Sequence, residues 1–178
     1  MFTIITPCSR KENLHTLYNS IQFEYIHNWI IVYDSSIEFD KTFDHPKILE
    51  YFHHSDGISG NAQRNYGLTK VKSEGFIYFL DDDNVIHPDF WNTTFEPEKI
   101  YTFNQEHQGT VRLKGNKIKV GRIDTAMFLV YSTLIKGTTW NIHNYTADGE
   151  FIRECYLKNR RVWIYLDKIL CYYNKINE

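Results

Sequence analysis

The sequence has few cysteines, and it lacks any run of apolar residues long enough to cross a bilayer. Its three cysteines, Cys8, Cys155 and Cys171, are odd in number and include no C-x-x-C pair. We therefore expect neither a disulfide framework nor a zinc knuckle, which favours a reducing compartment. The first residues, MFTIITPCSRKEN, lack the basic leader and cleavage site of a signal peptide. These absences predict a cytoplasmic protein without a membrane span.

An excess of one charge is also missing, because 20 Lys and Arg residues nearly balance 22 Asp and Glu residues. This balance gives no reason to expect nucleic acid as a partner. Aromatic side chains, by contrast, are abundant and make up 16% of the 178 residues. Such a composition is typical of a globular chain, and the length predicts one domain over residues 1–178.

The first half of the chain alternates short apolar runs with helix-like segments. The apolar runs predict buried strands at 2–6, 29–33, 48–52 and 76–80, and the spacing of apolar residues predicts helices at 11–22 and 60–71. This alternation is typical of an α/β protein with a mostly parallel central sheet flanked by helices. Ligands of such sheets bind beyond the carboxyl ends of the strands, where residues 7–10, 34–36 and 81–84 would lie.

The second half has a different pattern. Two stretches, 110–113 and 117–120, flank Gly115-Asn116 and predict a β-hairpin. The remaining apolar runs predict strands at 126–131, 161–166 and 169–173, and a helix is predicted to begin near Asp148.

Three consecutive aspartates, Asp81, Asp82 and Asp83, directly follow the apolar run 76–80. Two like charges about 4 Å apart repel by roughly 4 kcal/mol at an effective dielectric constant near 20. A divalent cation would remove this repulsion, and carboxylate oxygens suit Mg²⁺ or Mn²⁺. Successive side chains of a strand point to opposite sides, so we do not expect all three to bind one ion. A solvated acidic turn is the alternative interpretation of this stretch.

The stretch FIYFLDDD at 76–83 resembles the DxD motif of GT-A fold glycosyltransferases, in which a strand delivers carboxylates to a metal bound to a nucleotide-sugar diphosphate. Three more stretches resemble family 2 glycosyltransferases in order and spacing: IITPCSR at 4–10, WIIVYDSS at 29–36 and GNAQRNYGL at 60–68. The tetrad DDDN at 81–84 is also similar to that of β-1,3-glucuronyltransferases. The resemblance covers residues 2 to about 90 and implies the GT-A fold.

The resemblance implies a donor-nucleotide site at the first two strands and the following helix. Thr6 and Pro7 would line the base pocket, with Arg10 at its edge. Asp34 would accept a hydrogen bond from the base or the ribose. Arg64 would reach the base or a phosphate, for which a guanidinium is suited because its fork pairs with oxygen acceptors.

The same resemblance assigns the aspartate cluster to the metal and the ribose. Asp83 is the first candidate ligand of Mn²⁺ or Mg²⁺, and Asp81 is the second. Asp81 and Asp82 would bind the ribose hydroxyls or a metal-bound water.

The stretch ADGE at 147–150 resembles the E-D motif of inverting family 2 enzymes, whose aspartate is the general base. Asp148 takes the place of that aspartate, whereas Ala147 replaces the usual glutamate. Glu150, two residues further on, is the second candidate base. Asp148 also suits the N-cap of the predicted helix, and the two roles are compatible.

These motifs together predict a metal-dependent glycosyltransferase that moves a sugar, with inversion, from a nucleoside diphosphate to an acceptor hydroxyl. A UDP-sugar is the favoured donor, and the acceptor is an unidentified glycan, lipid or protein. Residues 1 to about 90 would form the nucleotide-binding half, and about 91–178 the acceptor-side half.

Two other functions stay open at this point. A non-catalytic nucleotide-sugar-binding module would account for the altered E-D motif and the short chain. A nucleotidyltransferase on a related fold would have a glycine-rich phosphate loop after the first strand, and PCSR at 7–10 contains no glycine.

Overall fold

The computed structural model describes residues 1–38 and 40–177. Within these residues the helices are α1 (Leu14–Ser20), α2 (Asn61–Thr69) and α3 (Ala147–Lys158). The strands are β1 (Phe2–Cys8), β2 (Ile26–Tyr33), β3 (Ile48–Phe52), β4 (Phe76–Phe79), β5 (Val85–Ile86), β6 (Ile100–His107), β7 (Thr110–Leu113), β8 (Phe128–Tyr131) and β9 (Trp163–Tyr172). They form one sheet in the order β3-β2-β1-β4-β8-β6-β9-β5, and β7 pairs with β6.

The first half of the sheet is parallel, as the sequence predicts. Strand β1 lies between β2 and β4, so that Ile4 pairs with Trp29 on one side and with Tyr78 on the other. All three side chains are fully buried. Parallel strands covered on both faces appear in sequence as continuous apolar runs, which is why these strands were predictable. The predicted α/β class is confirmed.

Helix α2 contains a glycine because the helix packs closely on β1. A Cβ at Gly67 would lie 2.6 Å from Cγ2 of Ile5. Glycine disfavours a helix by about 1 kcal/mol relative to alanine, and here it permits the close approach of helix and strand. The predicted helix is confirmed, with α2 starting at Asn61.

The predicted hairpin at Gly115-Asn116 is wrong. The hairpin lies earlier, between β6 and β7, and its turn contains Gln108 and Gly109 with φ angles of 51° and 76°. Gly115 instead lies against β6, where an added Cβ would be 2.5 Å from the carbonyl oxygen of Phe103. The glycine therefore marks a close backbone approach, and residues 117–120 form no strand.

The last two predicted strands, 161–166 and 169–173, form one strand in the structure. Strand β9 runs through 163–172 parallel to β6, and its register shifts opposite 102–105. Helix α3 begins at Ala147, close to its predicted start. Within the described residues, none of the helices is long and apolar enough to cross a membrane.

Candidate functional site

A cavity of about 540 Å³ opens at the carboxyl ends of β1, β2 and β4. The starts of α2 and α3, part of β7, several residues of 121–125, Trp140 and Tyr173 also contribute to its wall. Its charged lining residues are Arg10, Asp34, Arg64, Asp81, Asp82, Asp83, Arg112, Asp124 and Asp148. The sheet therefore brings together, at the edge where ligands of parallel sheets bind, most of the residues that the motifs single out.

Asp82 organises the turn between β1 and α1. One of its oxygens accepts hydrogen bonds from the backbone N–H groups of Ser9 and Arg10, at 2.7 and 2.8 Å, and from Ser9 Oγ at 3.2 Å. The other accepts from Nε and Nη2 of Arg10. A carboxylate offers about four acceptor sites, so these five bonds leave little capacity for a ligand. The geometry supports a positioning role for Asp82 rather than the predicted contact with ribose or a metal-bound water.

Asp83 and Asp81 each face an arginine. Nη2 of Arg10 lies 2.9 Å from Oδ2 of Asp83, and Nη2 of Arg64 donates to Oδ1 of Asp81. Burial raises the pKa of Asp81 to about 6 against the opposing effect of Arg64, and it also raises the pKa of Asp83. Both side chains keep about a fifth to a quarter of their surface exposed, 20% for Asp83 and 24% for Asp81.

Arg64 is buried and held from several sides. Its Nη1 donates to the carbonyl oxygen of Ser59 at 2.6 Å and to Oδ1 of Asn61 at 3.0 Å. Its guanidinium lies 4.6 Å from the ring centroid of Trp140, a cation–π geometry. These contacts fix a positive charge in the cavity wall beside Asp81.

Gly60 places the start of α2 against the end of β1. Its φ is +71°, and an added Cβ would lie 2.6 Å from Cβ of Pro7. Only glycine adopts this conformation readily, and only glycine leaves room for the proline. The contact brings Pro7 and Arg64 to the same wall of the cavity.

Asp148 lies in the first turn of α3, two residues after the N-cap position, which Thr146 occupies. Its Oδ1 accepts a hydrogen bond from Gly149 N–H at 2.6 Å. Burial raises the pKa of Asp148 to about 7, and the nearby charges of Asp124 and Asp81 act in the same direction. The N–H of Gly149 and the charge of Arg64 oppose the shift. A carboxyl group with such a pKa can accept a proton near neutral pH.

Three more predicted residues lie elsewhere than expected or have partners within the chain. Oγ1 of Thr6 accepts from the indole N–H of Trp29 at 2.9 Å in the core, and Thr6 does not line the cavity. Glu150 also lies outside the lining and accepts a hydrogen bond from Nδ2 of Asn144 at 2.5 Å. Asp34 does line the cavity, and its Oδ1 is 3.1 Å from Nδ1 of His54.

Arg112 is a cavity residue that the sequence did not single out. Its Nη1 is 2.7 Å from Oδ2 of Asp124 and 2.5 Å from Oε1 of the buried Gln105. Its guanidinium lies 3.6 Å from the ring centroid of Tyr173. A single arginine in a predicted hairpin strand is usually solvated, so no sequence signal marks this one.

The donor set of the cavity fits a divalent cation that is held partly by a ligand. Six aspartates and three arginines give the lining a formal charge of −3 when all are ionised. Across the described part of the chain, no three His, Cys, Asp or Glu residues form a preassembled metal group. Mg²⁺ is commonly bound by one or two carboxylates together with water and substrate phosphates. Asp83 and Asp81 can supply those carboxylates.

Comparison with known proteins identifies the class of fold. Over 96% of this chain, the structure matches residues 1–349 of TarS from S. aureus with a TM-score of 0.70, at 16% sequence identity. It also matches glucosyl-3-phosphoglycerate synthase from Mycobacterium tuberculosis, solved with Mn²⁺, UDP and glucosyl-3-phosphoglycerate, with a TM-score of 0.64 at 10% identity. The fold is therefore that of the GT-A nucleotide-sugar transferases.

A nucleotidyltransferase shares the same general architecture. The inositol-1-phosphate CTP transferase from T. maritima matches with a TM-score of 0.51 at 10% identity and 96% coverage of this chain. The chain spans 59% of the matched TarS chain, 71% of the synthase and 87% of the CTP transferase. No protein-family model matches the sequence, and no curated protein matches it.

Proposed function

We infer that this chain transfers a sugar from a nucleoside diphosphate, with UDP favoured, to an acceptor hydroxyl. One observation carries the proposal: a single cavity joins arginine-paired aspartates at the end of β4 to Asp148, whose pKa is raised to about 7. A structural neighbour with this fold was solved with UDP and Mn²⁺, which supports the choice of donor.

The donor nucleotide lies between the ends of β1 and β2 in this proposal. Asp34 accepts a hydrogen bond from the base or ribose, and Pro7 forms part of the base pocket. Arg64, fixed against Trp140, directs its charge to the diphosphate. Arg10 is also proposed to direct its charge to the diphosphate. It contacts Asp83 at the cavity wall, and 39% of its side chain is exposed.

Asp83 and Asp81 are the proposed ligands of Mn²⁺ or Mg²⁺. The metal would neutralise the charge that develops on the departing diphosphate. The charges of the cavity lining support the presence of a metal ion. A cavity with a formal charge of −3 repels a diphosphate unless a cation lies between them. Asp82 supports Asp83 by fixing the turn that carries Arg10, the partner of Asp83, whereas Asp81 is held by Arg64.

Asp148 is the proposed general base, which implies inversion. The acceptor oxygen attacks the anomeric carbon while the bond from that carbon to the diphosphate oxygen breaks. The bonding electrons leave with the diphosphate, and the hydroxyl proton passes to a carboxylate oxygen of Asp148. The raised pKa suits this step, because a base works best when its pKa lies near the working pH.

Nucleotidyl transfer is the second candidate because a CTP transferase is among the structural neighbours. The turn after β1 argues against it. Residues 7–10, which end β1 and begin this turn, contain no glycine, and the backbone N–H groups of Ser9 and Arg10 already donate to Asp82. Those N–H groups are therefore not available to cradle a triphosphate in this arrangement.

Calorimetric titration tests the donor proposal. We expect UDP to bind with Mn²⁺ present, and we expect affinity to fall at least about tenfold with chelator or in Asp83→Ala, since the metal links the carboxylate to the diphosphate. Asp89→Ala, which changes an exposed carboxylate outside the cavity, is the matched control and should bind normally. Binding of CTP but not UDP would favour nucleotidyl transfer. UDP binding that is equal with and without metal would refute the metal assignment.

Turnover separates an enzyme from a binding module. A screen of UDP-sugars against glycan, lipid and peptide acceptors, read by UDP release, should find a productive pair. Tight UDP binding without release across the screen would favour the non-catalytic module.

A further inference from the structure

Tyr145 is an exposed aromatic residue on the rim of the cavity. The residue is 81% exposed, the highest value among the exposed large apolar residues of the described chain, and it contributes to the cavity lining. It precedes Asp148 by three residues. An exposed aromatic ring that borders a polar cavity is typical of a surface that contacts a ligand.

The turn that carries Tyr145 is held in place on both sides. Oδ1 of Asn144 accepts hydrogen bonds from the N–H and Oγ1 of Thr146, both at 3.1 Å. The carbonyl oxygen of Asn144 accepts from Nδ2 of the buried Asn61 at 3.0 Å. Glu150 accepts from Nδ2 of Asn144. The ring is therefore exposed although the backbone of its turn is tied to α2 and α3, so the protein would lose little backbone freedom when a ligand packs on the ring.

The surroundings of Tyr145 indicate the chemistry of that ligand. The nearby cavity wall is polar and includes Asn61, Thr146 and Asp148. Asn61 and Thr146 already have partners within the chain, but Asp148 accepts only the N–H of Gly149 among the described residues, and an alkyl chain would cover its second oxygen without offering a donor, which is unfavourable. A pyranose combines an apolar face of C–H groups, which packs on an aromatic ring, with hydroxyl groups at its edge that pair with polar side chains.

We propose that Tyr145 is the stacking platform for a pyranose ring of the acceptor, whose reacting hydroxyl is directed to Asp148. The inference rests on the proposed function and adds the class of acceptor, a carbohydrate rather than a lipid or a peptide. It also explains Glu150, which lies outside the cavity but holds Asn144 and thereby the turn.

Saturation-transfer NMR with small probes tests the proposal. The probes are the methyl pyranosides of glucose, galactose and mannose, with sorbitol as an acyclic polyol, each measured with and without UDP and Mg²⁺. We expect saturation of the ring C–H protons of at least one pyranoside and none for sorbitol. The signal should fall about fivefold in Tyr145→Ala, because the stacking contact is lost, and should persist in Tyr145→Phe.

Two controls separate the outcomes. Tyr25→Ala removes another exposed tyrosine, which lies outside the cavity, and should leave the signal unchanged. UDP titration of Tyr145→Ala should give the wild-type affinity. Failure of the wild type to bind any nucleotide would refute the proposed function, and the measurements without UDP would still report on Tyr145. A pyranoside signal that is absent in the wild type, unchanged in Tyr145→Ala, or matched by sorbitol would overturn the inference, and so would loss of UDP binding in Tyr145→Ala.

Discussion

Two regions of the cavity surround an aspartate with very different numbers of hydrogen-bond donors. At the end of β4, Asp82 accepts five hydrogen bonds from Ser9 and Arg10. At the start of α3, Asp148 accepts one from Gly149 within the described residues and has a pKa raised to about 7. Hydrogen bonds and a cation favour the ionised form of a carboxyl group, whereas burial with few donors favours the protonated form. The first arrangement holds the carboxyl group of Asp82 in one position, and the second allows Asp148 to take up a proton.

The difference divides the proposed reaction between the two regions. The strand-end region contains its own counter-charges, Arg10 and Arg64, and is suited to hold a charged donor with constant geometry. In the region at α3, burial keeps the pKa of Asp148 high, and the negative charges of Asp124 and Asp81 act in the same direction. The proposal thus assigns binding and proton transfer to aspartates that differ in their surroundings and not in their identity.

Replacing the proton acceptor should have the largest effect. In Asp148→Asn we expect the kcat for sugar transfer to fall by about 10³-fold, since a general base contributes on that order. UDP affinity should remain unchanged, because the residue lies in the α3 region and not among the donor contacts. The measurement is UDP release with the donor and acceptor that the screen identifies.

Asp89→Asn, a change of the same chemistry at an exposed site, should keep full activity in that assay. Full activity in Asp148→Asn would remove the distinction between the two regions. Loss of UDP binding in that variant would move Asp148 to the donor side.

Replacing Asp82 should mainly lower the free energy of unfolding of the protein. In Asp82→Ala we expect the free energy of unfolding to fall by about 2 kcal/mol, because the variant loses the five hydrogen bonds that the buried Asp82 accepts from Ser9 and Arg10. In Asp83→Ala the loss should stay below about 1 kcal/mol, because its partner Arg10 is partly exposed and still bound by Asp82. Urea denaturation followed by circular dichroism measures both. Equal losses in the two variants would contradict a special organising role for Asp82.

The sequence predicts the strand-end region better than the rest of the fold because its strands are apolar on both faces. Strand β6 was missed because its sequence, IYTFNQEH, becomes polar after residue 103. Asn104 and Gln105 are nevertheless buried, with 4% and 0% of their surface exposed. Their partners, including Gly115 and Arg112, come from later in the chain, and single-sequence patterns do not reveal such tertiary contacts.

The candidate site shows the same limit. The motifs placed Pro7, Asp34 and Asp81 at one cavity, because the carboxyl ends of parallel strands share an edge. They did not reveal that Asp82 binds a turn 72 and 73 residues earlier. Positions of strand ends follow from local patterns, whereas the pairing of each carboxylate depends on the complete fold.

The pH dependence of the transfer rate tests the proposed role of Asp148 as the proton acceptor, because its pKa is raised. The base form is lost as the pH falls through about 7, so kcat/KM should drop about tenfold per pH unit below that value and level off above it. In Asp124→Asn the profile should shift to lower pH, because one of the charges that raise this pKa is removed. Initial rates between about pH 5 and 9 give the profile. A flat profile would indicate that proton uptake by Asp148 does not limit the reaction.

The smallest effect is expected from Glu150→Gln, which tests the second candidate base. Its amide oxygen can still accept the hydrogen bond from Asn144, and residue 150 lies outside the cavity, so kcat should change by less than about threefold. Transfer rates are measured as for Asp148→Asn. Retained activity in Glu150→Gln beside lost activity in Asp148→Asn would assign the proton to one carboxylate of α3. The reverse result would place the reacting hydroxyl beyond the rim at Asn144, and the cavity carboxylates would then serve the donor alone.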